Sequence, residues 1–222
     1  MTKDDIIKEL KKNASPKTIE SERRFGNKGE NLIGVTVTFL RKFVKKIPKN
    51  HKLALELWKS GIYEAKMLAT MVDEASKVTE SQMDKWVNEF DSWGICDGAC
   101  MNLFCHTPFV EKKIYKYAKS KKEYVRRTAF TLIACLAFKK KETKNKDLEK
   151  YFLLIKEYSF DERNFVKKAV NWALRQIGKR NEVLRKKAIK TALEIQKQGT
   201  KPARWIASNA LSELRSVDIK KK

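Results

Sequence analysis

Apolar residues recur every three or four positions along almost the whole chain, with Lys, Glu and Asp filling most positions between them. That spacing gathers the apolar side chains on one face of a helix and leaves the other face to water. It predicts helices over residues 2–12, 16–24, 35–46, 51–59, 62–77, 80–89, 92–105, 108–120, 122–140, 147–158, 162–179, 181–198 and 202–215. Some starts carry their own signal. Thr107-Pro108 offers an N-cap hydroxyl followed by proline at the first helical position. Thr79 and Gln82 have the spacing of a capping box, and Thr200-Lys201-Pro202 marks a further boundary. Val35-Thr36-Val37-Thr38 alone looks like a strand, and it is too short and isolated to build a sheet. With 8 Gly and 4 Pro the chain makes few tight turns, which disfavours a many-stranded sheet. The expected class is all-α.

The second half repeats itself weakly. Val125-Arg126-Arg127-Thr128-Ala129 is echoed by Val166-Lys167-Lys168-Ala169, by Leu184-Arg185-Lys186-Lys187-Ala188, and by Ala203-Arg204-Trp205-Ile206-Ala207. Alternate members lie 41 and 37 residues apart, near the period of helix-pair repeats, about 40–47 residues in HEAT arrays. One helix pair cannot bury its apolar face alone, so neighbours stack into a curved solenoid. The expected architecture is a right-handed superhelical solenoid of HEAT-like antiparallel helix pairs with a concave basic groove. It occupies residues 1–218 as one domain, followed by a basic tail at 219–222.

Charge sharpens the picture. Against 27 Asp+Glu stand 50 Lys+Arg, a formal net charge of +23. Such self-repulsion is relieved by a polyanion, nucleic acid first and an anionic membrane surface second. No stretch approaches the roughly 20 uncharged apolar residues of a spanning helix, and MTKDDIIKELKKN lacks the apolar core of a signal peptide. The expected compartment is the cytoplasm, with no membrane partner. Hydrophobic residues make up 42% of the chain, enough for a core despite the charge. Cys96, Cys100 and Cys105 crowd beside His106, but no CxxC pair or second ligand cluster accompanies them. Buried reduced thiols are expected, and no metal.

Three places depart from the core pattern. In 162–179, Val166, Val170, Ala173 and Ile177 form one stripe. Trp172 lies about 200° round the helix from Val170, among Phe165, Lys168, Arg175 and Gln176. There it either stacks on a nucleic-acid component or packs against an adjacent helix. In 122–140, Arg127 points away from the apolar face, where it either reaches a phosphate or stays a solvated charge. In 92–105, Trp93 and Asp97 are four apart and share a helix face in an apolar stretch. A carboxylate with an indole beside it has the makings of a reactive site; it equally fits a helix-dipole partner or an ion pair.

Together these segments resemble the AlkD-like DNA alkylation repair family, HEAT-like repeat DNA glycosylases, over most of the chain. Arg24-Phe25, Leu32-Ile33-Gly34-Val35, and Leu57-Trp58-Lys59-Ser60 leading to Tyr63-Glu64-Ala65-Lys66 fit its N-terminal module. SWGICD is similar to the family's Trp-x-x-x-Asp element and places the pair on Trp93 and Asp97. YVRRTA resembles the segment bearing the active-site Arg and selects Arg127 over Arg126, while FVKKAVNWALR places the second Trp at Trp172 and a DNA-contacting Arg at Arg175. Lys168 and Phe25 join the expected DNA-binding set. Two positions depart from the pattern: Gly94 follows Trp93 where a polar residue is usual, and Phe25 replaces a Tyr of the best-known branch.

The resemblance implies a glycosylase that removes cationic N3- or N7-alkylated purines from duplex DNA in base excision repair, without base flipping and without a cofactor. Trp93 and Trp172 are then expected to flank the damaged deoxyribose. Asp97 is expected to stabilise oxocarbenium charge and orient or deprotonate the attacking water, and Arg127 to hold a backbone phosphate. The expected partner is double-stranded DNA bearing alkylated purines, bound by a monomer. The alternative is a catalytically inactive HEAT-like protein binding duplex or branched DNA; a scaffold for acidic proteins or RNA is more distant. A metal-dependent nuclease lacks its carboxylate cluster, and nucleotide hydrolysis lacks a Gly-rich phosphate loop.

Overall fold

A computed structural model of the chain describes residues 1–27, 29 and 31–216. The tail expected at 219–222 lies outside the described residues. Every regular element among the described residues is helical, and the helices fall into two compact units, Met1–Phe109 and Val110–Lys222.

The first unit holds α1 (Lys3–Lys12), α2 (Pro16–Arg24), α3 (Val37–Phe43), α4 (His51–Lys59), α5 (Tyr63–Val72), α6 (Glu80–Asn88) and α7 (Trp93–Asn102), with 3-10 turns at Val44–Lys46 and Phe104–His106. Its core includes an aromatic cluster in which the Trp58 and Trp86 rings stack 3.9 Å apart at 3°. Phe90 and Phe104 tilt against them. Trp58 satisfies its buried N–H by donating to Glu89 at 2.6 Å, as an indole in a core must. The strand-like Val35-Thr36-Val37-Thr38 instead opens α3, with the Thr36 hydroxyl accepting from the Phe39 N–H.

Two capping expectations are corrected. Thr79 does accept from the Gln82 N–H at 3.1 Å, but the Gln82 side chain donates to Asp73 at 2.7 Å rather than back to the cap. Fully buried Asp73 also receives the Glu74 N–H and faces His51 Nδ1 at 2.7 Å, so it needs that third partner. This cluster turns the chain at Asp73 and ends α5 five residues before residue 77. Thr107 caps no helix; its hydroxyl donates to the Phe104 carbonyl at 2.8 Å, closing the 3-10 turn, and the next helix begins at Val110.

The second unit holds α8 (Val110–Ala118), α9 (Glu123–Phe138), α10 (Asn145–Glu149), α11 (Tyr151–Glu157), α12 (Asn164–Gly178), α13 (Glu182–Gln196) and α14 (Lys201–Ser216). Here the weak sequence repeat becomes physical. Polar ties join residues about one repeat apart: Arg126 to Asp161 over 35 residues, Lys156 to Glu194 over 38, Ser159 to Gln198 over 39, and Arg163 to the Lys121 carbonyl over 42. Successive repeats are thus tied to one another through helix and connecting-loop residues, as a stacked array requires.

The four cysteines are all buried thiols outside any disulfide. No group of three or more His, Cys, Asp or Glu among the described residues is placed to hold a metal ion, and no described helix is long and apolar enough to cross a membrane.

Candidate active site

Trp93 opens α7 and is half-buried, with Ser92 capping the helix by accepting the Ile95 N–H. The indole N–H donates to the Phe25 carbonyl at 3.0 Å, a bond from the start of α7 to the end of α2 that fixes the ring plane. The Phe25 ring itself is 68% exposed. One turn after Trp93 comes Asp97, only 8% exposed and the sole charged residue of the helix WGICDGACMN. Phe25, Trp93 and Asp97 therefore belong to one local arrangement inside the first unit.

Gly94 has a steric reason. A Cβ there would fall on the Tyr63 hydroxyl, and a Cβ at Gly98 would lie 2.9 Å from Met67 Cε. Glycines four apart on α7 thus let Tyr63 and Met67 of α5 sit directly on its backbone. The small residue that departs from the family pattern makes room for a buried tyrosine.

Beside Tyr63, Glu64 is 1% exposed and its carboxylate accepts three consecutive backbone N–H groups, from Ile33 at 2.9 Å, Gly34 at 2.6 Å and Val35 at 3.1 Å. Gly34 adopts φ +90°, the left-handed region that aims these N–H groups at one point. The segments Leu32-Ile33-Gly34-Val35 and Tyr63-Glu64-Ala65-Lys66 are two halves of one clasp holding α5, and so the floor under α7.

The remaining candidates lie on α9 and α12 of the second unit. Arg127 is 6% exposed and donates to the Phe165 carbonyl at 2.6 Å. The helix period places it opposite the apolar stripe, yet α9 packs against both α8 and α12 and is buried on most sides. Arg126 is engaged still more fully, with the Ala118 carbonyl at 2.9 Å, Asp161 at 2.6 Å and the Tyr158 ring at 4.8 Å. Trp172 is half-buried and tilts against Phe138 at 5.9 Å, so packing against an adjacent helix accounts for part of its surface. With the Gln176 amide turned to satisfy both partners, its oxygen accepts from Trp172 Nε1 at 3.0 Å and Lys179 Nζ at 3.2 Å. Arg175 pairs with Glu213 of α14, which also receives Lys179 at 2.6 Å. Lys168 is exposed.

Among the carboxylates of this unit, Asp161 and Glu213 are partly buried and held by two cations each. Burial pushes Asp161 up, but hydrogen bonds from Arg163 and Arg126 outweigh it and hold the group below its ordinary 3.8. Glu213 follows the same balance, burial opposed and overcome by Lys179 and Arg175, and lies below its ordinary 4.5. A carboxylate depressed on folding contributes stability in full above its unfolded value and loses it as pH falls through its folded value. Melting temperature is therefore expected to fall as pH drops below about 4. Asp161→Asn should be less stable at neutral pH and show a shallower acid limb by circular dichroism. Parallel acid limbs for the two proteins would refute this assignment.

The family model described as DNA alkylation repair enzyme matches residues 6–214 of this sequence. The chain belongs to that family. An uncharacterized protein of Listeria innocua is 32% identical over 97 residues, a match spanning 42% of this chain and 43% of that protein's length. A solved structure, described as a new family of proteins related to the HEAT-like repeat DNA glycosylases with affinity for branched DNA structures, superposes with a TM-score of 0.77. It covers 87% of this chain and 83% of its own at 20% identity. The fold is accordingly HEAT-like as well as all-helical.

For this member of the DNA alkylation repair family, three features were hidden from sequence reasoning: the Glu64 clasp, the seating of Tyr63 on Gly94, and the Arg126–Asp161–Arg163 cluster. Signals for the first two existed. Glu64 interrupts an apolar run directly before Ala65, and Gly94 and Gly98 stand at the four-residue spacing that lets helices approach closely.

Proposed function

We propose that the protein is a DNA glycosylase that excises cationic N3- and N7-alkylated purines from duplex DNA in base excision repair, without flipping the base. The observation that carries this reading is Asp97, a nearly buried carboxylate on an otherwise uncharged helix, one turn from a tryptophan whose ring is pinned by its N–H. A charge acts most strongly where water is excluded, and the chemistry gives this carboxylate a use. An alkylated purine already carries positive charge and leaves readily, so the barrier lies in the oxocarbenium character that develops on the deoxyribose. Asp97 faces that charge and takes the proton of the attacking water. The face of Trp93 stabilises the same positive centre, and Trp172 in the second unit brings an indole face of its own to the damaged DNA.

Arg127, held by the Phe165 carbonyl, supplies a fixed positive charge for a phosphate, with Arg175, Lys168 and the exposed Phe25 ring completing the DNA contacts. The partner is double-stranded DNA with alkylated purines, attracted by a net charge of +23. The protein acts as a cytoplasmic monomer and needs no cofactor.

A second reading, a catalytically inactive binder of duplex or branched DNA, is favoured by one observation: the structural neighbour is described by its affinity for branched DNA. Release of N7-methylguanine and N3-methyladenine from methylated duplex DNA separates the two. Release by the native protein and not by Asp97→Asn supports the glycosylase; DNA binding without release by either protein leaves the second reading.

A further inference from the structure

Tyr63 is 6% exposed, and its hydroxyl rests on the Gly94 backbone where a Cβ would stand. Gly94 and Asp97 are three apart on α7, so they share one helix face. The hydroxyl of Tyr63 thus meets α7 on the face that carries Asp97, about one turn before it. Two polar groups on neighbouring turns of one face are placed to share a single water, with a hydrogen bond of about 2.8 Å to each.

We propose that Tyr63 is a second holder of the attacking water, gripping with its hydroxyl oxygen the hydrogen that Asp97 does not take. This rests on the glycosylase reading of Asp97. The water oxygen bonds to C1′ of the deoxyribose while the C1′–N glycosidic bond breaks. The bonding pair leaves on the purine nitrogen and cancels the positive charge of the alkylated base. One water proton goes to Asp97; the other stays on the new hydroxyl, steered by Tyr63. With both hydrogens held, a water lone pair is left for C1′.

Electrostatics agrees with a hydroxyl that stays protonated. Burial first, then the negative charges of Glu22, Glu64, Asp91 and Asp97, raise the phenol well above its ordinary 10.0. Tyr63 is therefore no general base; it positions. The proposal also explains why Gly94 is tolerated at a helix start: any larger residue would push the hydroxyl away from Asp97's face.

The test is single-turnover release of N7-methylguanine from methylated duplex DNA by the native protein, Tyr63→Phe, Gly94→Ala, the double variant and Asp97→Asn. Tyr63→Phe is expected to lower the maximal rate about tenfold with the half-saturating DNA concentration unchanged. Gly94→Ala should slow release similarly and lower the melting temperature. In the double variant the added methyl meets the ring carbon at 3.4 Å, ordinary contact, so the melting temperature should recover and the rate should match Tyr63→Phe alone. Full rate in Tyr63→Phe beside an inactive Asp97→Asn would overturn the role of Tyr63 and leave the glycosylase standing. A rise in half-saturating DNA concentration at unchanged maximal rate would also overturn it. Absence of release by the native protein would remove both.

Discussion

Asp97→Asn is expected to slow release of alkylated purines by about 10²–10³-fold while leaving DNA affinity and melting temperature close to native. Asparagine keeps the shape and fills the same nearly buried position on α7, so packing beneath Trp93 changes little. It removes the negative charge and the basic oxygen together. Electrostatic stabilisation acts most strongly where water is excluded, and 8% exposure puts Asp97 in such a place. The leaving group is already cationic, so the remaining protein groups retain some acceleration. Quantifying free base by chromatography over a time course measures the loss. A variant within threefold of native would show that Asp97 does no chemistry.

The largest effect on stability is expected at Gly34. Gly34→Ala places a methyl group against the Ser15 carbonyl and 2.8 Å from Ile19 Cγ1, at a φ of +90° that residues with a side chain rarely adopt. Strain and overlap act together, and a loss of about 3 kcal/mol or more is expected. The neighbouring Glu64→Gln tests the same clasp through its other half. One amide oxygen replaces two carboxylate oxygens, and the amide NH₂ then faces a backbone N–H, at about 1–3 kcal/mol. Both values come from urea unfolding followed at 222 nm. Because the clasp seats α5 under α7, base release should fall with the folded fraction rather than through an altered pH profile. Native stability in both variants would mean the clasp is incidental.

Much of this molecule is legible from its apolar spacing, and the failures have identifiable physics. Helices at 16–24 and 51–59 begin and end where periodicity puts them, because Pro16 and Asn50 mark their starts. The echoes 41 and 37 residues apart reappear as hydrogen bonds between repeats, over 35–42 residues. Arg127 shows the limit: a single helix reveals one buried stripe, and only the packing of α8 and α12 on both sides of α9 hides the opposite face. Gln82 shows another. Its spacing from Thr79 suits a capping box, yet buried Asp73 outbids the helix end for its side chain. Trp93, Asp97, Arg127 and Trp172 stand out by spacing and family likeness; the spacing of Gly94 and Gly98 signals a close helix approach but does not say that Tyr63, 31 residues away, makes it.

The ties one repeat long in the second unit carry a kinetic consequence. Each closes a loop of nearly the same length, so no step of assembly demands a much larger entropy loss than another. Refolding of this unit can start at more than one point, and amide exchange should open one helix pair at a time.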